Sequence, residues 1–264
     1  MTTSFSTAVY TLAQREVVRF LRQRNRVFGA LAQPVLFWLI FGAGLSASFR
    51  AGSQAQVGYS EYFFPGVVAM ILLFTAIFAT ISIIDDRNSG FLQGVLVAPV
   101  PTSAIVLGKI AGTATLAVGQ ALVVCILAPL AGMSVEVSGI IAAIPVMVVL
   151  SVALAGLGML IAWRMDSTQG FHAIMTSVLM PMWLLSGAFF PAEGTPWWLA
   201  WIIAINPLTY GVAALRHALY LGQTPATAAL PSIATCWIAT LLFAGASVLA
   251  SVRVASDRTG TSVP

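Results

Sequence analysis

A chain of 264 residues in which 59% of side chains are hydrophobic and only 8% charged is too apolar for a soluble domain, where about a quarter of residues carry charge. Its formal net charge of +4 comes from Arg residues at the edges of apolar runs and not from a separate basic domain, which argues against nucleic acid as a partner. Six such runs, over 27–48, 62–84, 103–131, 140–163, 173–190 and 228–252, are each long enough to cross a bilayer core, which takes about 20 helical residues. The sequence is that of an all-α polytopic membrane protein.

In chain order, residues 3–26 come first. They lack the short apolar core and small-residue cleavage site of a signal peptide. They have helical periodicity instead: Phe5, Val9, Leu12, Ala13, Val17 and Phe20 fall on one side of the wheel, and Arg15, Arg19, Arg22 and Arg26 on the other. An Arg-rich amphipathic helix of this kind lies in the membrane interface with its guanidinium groups among lipid phosphates. Glu16 sits toward the apolar side and interrupts the pattern. Two roles fit such a helix: an anchor that orients the first span, or a mechanical part.

Charge placement sets an orientation. With six spans and both termini inside, ten cations are cytoplasmic: Arg15, Arg19, Arg22, Arg24, Arg26, Arg87, Lys109, Arg164, Arg253 and Arg258. Only Arg50 and Arg216 fall outside, the bias that the positive-inside rule describes.

The loop between spans two and three reads SIIDDRNSGFLQGVLVAPVPTSAIVLGK. Asp85 and Asp86, with Arg87, Asn88 and Ser89, mark the exit from the membrane as headgroup-zone charges. Gly90 to Val97 is apolar but too short to span, and Pro99 and Pro101 end it. Phe91 with Val95 and Leu92 with Leu96 are four apart, so a short helix would present an apolar ridge. An exposed ridge of this kind is a contact for another protein, or else a helix lying against the bilayer.

Both cysteines, Cys125 and Cys236, fall inside predicted spans as small apolar residues, and without a CxxC or a Cys/His cluster they make no metal site. His172 and His217 sit near opposite membrane faces. The chain has neither GxSxG nor HExxH, so an enzymatic site has no constellation to rest on.

The segment LSGAFFPAEGTPWWLAWIIAINPLTYGVAALRHALYLG follows span five. Its nine apolar residues 197–205 reach about 14 Å as helix and cannot cross. Asn206-Pro207 breaks that helix, and residues 208–221, carrying Tyr210 and Arg216, restart one. Two half-helices that dip in after Pro191 and return fit better than a seventh span, and the break should line protein or a watery cavity. Trp197, Trp198 and Trp201 are interfacial anchors or parts of a gate. Arg216 is expected close to the outer surface, pairing with Glu193 or reaching water.

Six spans, an amphipathic first helix, GFLQGVLVAPVPTSAIVLGK and SGAFFP…NPLTYGVAALR together resemble the ABC-2 type permeases of ABC transporters, the drug-resistance and nodulation-type exporters most of all. The resemblance covers essentially the whole chain. It implies an interfacial helix over 1–26, a permease domain over 27–252 with a coupling loop at 85–102 and a re-entrant segment at 191–222, and a cytoplasmic tail over 253–264. It further implies that Arg87, Ser89, Gly90, Phe91, Leu92, Val95, Leu96 and Pro99 meet a cytoplasmic ABC ATPase, that Pro191, Trp197, Trp198, Trp201, Asn206, Pro207, Tyr210 and Arg216 belong to the outer re-entrant pair, and that two permeases, a homodimer in the simplest case, face each other across a path. The motor is then a separate polypeptide present in two copies, with ATP and Mg on it and no cofactor on this chain. Here the only Gly-Lys pair, Gly108-Lys109, has Ser103 where a P-loop needs its first Gly and Ile110 where Ser or Thr should follow. The expectation is an ATP-driven exporter subunit in a bacterial cytoplasmic membrane. The alternative is a secondary transporter or channel, against which stands the lack of ionisable residues at the span centres.

Overall fold

The computed structural model describes residues 4–50, 58–97, 100–131, 135–192, 194–221 and 230–260. Among them the chain is helical, with no strand. Helix α1 is Phe5–Arg22 and α2 Arg24–Arg50, with Gln23 as the hinge between them. The expected interfacial helix therefore ends four residues early, and Arg26 belongs to α2. A second span, Tyr59–Asn88, consists of α3 (Tyr59–Thr80) and α4 (Ser82–Asn88). Then come α5 (Phe91–Val97), α6 (Thr102–Leu127) and α7 (Val137–Arg164). The fifth span, Thr168–Ala188, is broken into α8 (Thr168–Ile174), a π-turn at Met175–Leu179, α9 (Met180–Trp183) and a second π-turn at Leu184–Ala188. Helices α10 (Trp197–Ile205) and α11 (Pro207–Leu219) meet at 79°, and α12 is Ile233–Gly260.

Among the described residues six helices are long and apolar enough to cross a membrane, or seven if the bent pair α10–α11 counts as one span. They overlap the six apolar runs, with ends that shift by a few residues. Helix α3 sits at the centre. Beyond Glu61 its sequence is apolar nearly all round, which lets protein cover every face where a lipid-facing helix would leave one to the bilayer. It packs against α2, α6, α7 and α11, and residues from Phe63 to Leu73 are fully buried. Cys125 and Cys236 are buried as well.

The spans alternate in direction, so the bundle has an Arg-rich end, where α1 lies, and a far end. Helix α1 rests along the first half of α6. Gly108 and Gly112 let it come close: a Cβ on Gly108 would stand 2.8 Å from Leu12 Cβ, and one on Gly112 would stand 2.7 Å from Ala13 O. Small residues four apart allow this backbone approach between helices in a membrane.

Candidate functional site: the two ends of the bundle

At the Arg-rich end three carboxylates and three cations gather. Lys109 on α6 is 2% exposed, and its ammonium donates to Glu16 Oε1 at 2.7 Å, Asp86 Oδ2 at 2.7 Å and Ser82 Oγ at 3.1 Å. Those are all three of its donors. Ser82 donates in turn to Glu16 Oε2 at 2.7 Å. Arg15 grips both oxygens of Asp86, at 3.2 and 3.0 Å, and Arg19 donates to Asp86 and lies 3.5 Å from Asp85. Glu16 and Asp86 are 3% and 2% exposed. Buried charges persist only when paired and hydrogen-bonded, and this cluster meets that condition.

This arrangement corrects three expectations. Arg15 and Arg19 turn into the protein instead of toward lipid phosphates; Arg22 alone of the α1 arginines remains exposed, and the side chain of Arg26 lies outside the described residues. Glu16, taken as a blemish on an apolar face, is the acceptor at the centre. Asp86 is a buried ion-pair partner and not a solvated helix end. The sequence did carry a signal: a lone acid on the apolar side of one helix and a lone Lys between two glycines on another are each costly unless they meet.

The segment expected to couple to an ATPase hangs from this cluster. Helix α4 ends at Ser89, whose hydroxyl donates to Asp86 O at 3.3 Å, and Gly90 takes φ +74°, which lets the chain turn and start α5. Arg87 donates to Trp163 O at 2.7 Å and Met165 O at 2.9 Å and pairs with Asp166, tying α4 to the end of α7. The Arg15 guanidinium stacks 3.7 Å from the centre of the Phe91 ring. The expected exposed ridge is divided, however. Leu92 is 5% exposed and packs into the core with Val95 beside it, whereas Phe91, Gln93, Gly94 and Val97 face outward. A seven-residue helix laid on a bundle must spend one face on that bundle, and Leu92 is on it. The side chain of Leu96, and Pro99 altogether, lie outside the described residues.

At the far end the helix breaks are filled by side chains. Asn206 caps α11 by accepting from Leu208 N at 3.0 Å. Its amide donates to Met182 O at 2.6 Å and Leu185 O at 3.0 Å, in and beside the second π-turn. Pro207 then starts α11, where no amide proton is required. Pro65 in α3 cannot bond the carbonyl of Glu61 one turn earlier, and Tyr220 Oη takes its place with a 2.6 Å bond to Glu61 O. Arg216 is buried, donates to Tyr62 O at 3.1 Å and Gly187 O at 3.3 Å, and lies 4.1 Å over the Tyr62 ring. Its expected partner Glu193 lies outside the described residues. Tyr210 donates to Ala204 O across the bend. Pro191, Trp197, Trp198 and Trp201 are exposed. Leu219 O stands where a Cβ on Gly139 would be, so α11 ends beside the start of α7.

Among the described residues no group of three His, Cys, Asp or Glu side chains is arranged to hold a metal ion. The ABC-2 type transporter family matches residues 7–220. Nodulation protein J of Rhizobium leguminosarum bv. viciae is 30% identical over 206 residues, covering 77% of this chain and 78% of that protein. The transport permease ycf38 of Cyanophora paradoxa is 24% identical, covering 80% and 74%. The multidrug ABC transporter permease YbhR of Escherichia coli (strain K12) is 30% identical over 157 residues, 59% of this chain and 42% of its own. Transport-permease relatives and a family match across most of the chain decide against a free-standing carrier or channel: the chain belongs to the ABC-2 type transporter family, as a multi-pass membrane permease subunit of an ABC transporter.

Proposed function

We propose that this permease forms half of an export path and is driven through α4–α5 by a separate cytoplasmic ATPase. The orientation follows from the cation bias: the Arg-rich end and both termini are cytoplasmic, in a bacterial cytoplasmic membrane. ATP and Mg are held by the ATPase, present in two copies, and a second copy of this chain completes the path. Helices α10 and α11 form the outer re-entrant pair, with Arg216 held inside it and the three tryptophans at the membrane surface.

The observation that carries the reading is α5 itself. It is a short helix outside the spans, with apolar Phe91 and Val97 facing outward; Arg15 of α1 stacks on its Phe91, and the α4 from which it hangs is bolted through Asp86 and Arg87 to α1, α6 and α7. A surface turn of no consequence would need no such attachment. The outward face, and not the buried Leu92, is the docking surface. Val97 is 87% exposed, so Val97→Asp leaves the fold unstrained while it sets a carboxylate into the contact. The variant should reach the membrane at the level of the parent and fail to retain the co-expressed ATPase on purification. Retention equal to the parent's would remove α5 from the docking surface.

A further inference from the structure

Coupling through α5 leaves Glu16 and Lys109 of the buried ion cluster without assigned work. We propose that Glu16 and Lys109 are positioning residues of the ATPase-coupling segment, clamping α1 and α6 onto α4 so that α1, α4–α5 and the start of α6 move as one body. The inference rests on the reading of α5 given above.

Three observations support it. The Lys109 ammonium spends its donors on partners from two helices other than its own, Glu16 of α1 and Ser82 and Asp86 of α4. Separating either helix from α6 strands a buried charge, so relative sliding within the group is disfavoured. Second, α1 has no room to ride loosely, since Gly108 and Gly112 bring its backbone against α6 and the Glu16 Cβ would stand 2.9 Å from a Cβ on Gly112. Third, Arg15 touches both helices of the coupling segment, at Asp86 on α4 and at the Phe91 ring on α5. A force applied at α5 therefore reaches α1 and α6 directly, without first passing through α3. A merely stabilising cluster would hold α1 in place equally well and carry no nucleotide-dependent change to it.

Hydrogen–deuterium exchange on the permease–ATPase complex in lipid nanodiscs, with and without ATP plus orthovanadate, separates these roles. In the parent complex, peptides from α5 and from α1 should both change exchange on trapping. In Glu16→Gln, which retains the ATPase because the outward face of α5 is untouched, the α5 change should persist and the α1 change fall several-fold. Lys109→Gln should be worse, since it leaves the buried Glu16 with only the longer cation contact to Arg15, at 3.5 Å, in place of its 2.7 Å bond to the ammonium. Glu16→Gln/Lys109→Gln should recover part of the α1 change, because removing both partners costs less than removing one and Asp86 keeps Arg15 and Arg19. An α1 response that is unaltered in the single variants, or missing from the parent while α5 responds, would overturn the proposal. If α5 itself does not respond in the parent, the coupling reading fails and takes the proposal with it. Should a single variant be lost from the membrane, the double variant decides: its return with an α1 response upholds the pairing, and its loss overturns it.

Discussion

Asn206 serves two helices at once. Its oxygen caps α11 and its amide satisfies carbonyls in and beside the π-turn that ends the fifth span. Asn206→Ala removes the cap, worth about 1 kcal/mol, and leaves Met182 O and Leu185 O without that donor, worth about 1 kcal/mol more. Thermal unfolding in detergent should report a loss of about 2 kcal/mol. Asn206→Asp keeps the cap acceptor but sets a carboxylate against two carbonyl oxygens, so it should be no better than Ala; a parental melting curve for Asp would show that the amide contacts contribute nothing. Lys109 marks the other extreme. Truncation to Met uncovers the buried Glu16 carboxylate, and breaking a buried pair by removing one partner costs about 3–5 kcal/mol. Neither effect can be read from residue type. Asn before Pro announces a helix break, and Lys near a span end announces topology, but the partners of both lie far off in sequence.

At the scale of elements, the six long helices and the break at 206 were legible, because apolar run length and an Asn-Pro pair act locally. The direction in which each short helix faces was not. Four-residue spacing put Leu92 on a ridge with Leu96, yet only packing decides which ridge of a short helix turns inward. For α10 and α11, the start of α11 lies beside Met182 and Leu185 while its end lies beside Glu61 and Gly139 at the far end of the bundle. A bent pair of this kind is either a broken span or a re-entrant loop, and the parity and charge arguments favour the second. Cysteines placed at Gly194 and Leu221, on either side of the pair, should both react with an impermeant maleimide added outside the cell. Labelling of Leu221→Cys only after permeabilisation would mean that the pair crosses.

At the scale of the whole molecule, α3 fills the centre of the chain, so a solute path has no place in the middle of one copy. The fifth span is the least apolar of the six, and it leaves His172, Thr176 and Ser177 exposed, with Thr176 donating to His172 O. Polar side chains on a span face are costly against lipid and belong against protein or water. A second copy facing this span would supply that setting, and a twofold homodimer is the simplest closed assembly. Cysteine at Thr176 should form a disulfide-linked dimer, or a bismaleimide-linked one, in native membranes containing the ATPase. Monomer alone under both conditions would remove the fifth span from the interface between copies.

Hydropathy and charge bias by themselves determined the class, the number of spans and the expected orientation, because the cost of placing charge or open backbone in hydrocarbon is paid residue by residue and leaves its mark in linear order. The family was legible too, since the coupling and outer loops are contiguous motifs. What only the tertiary structure decided is where the rare polar groups go. Glu16, Asp86 and Lys109 stand 93 residues apart at the extremes, and Arg216 reaches Tyr62 across 154. A buried charge is stable only in the company of its partners, and nothing in the spacing along the chain records which ones it will meet.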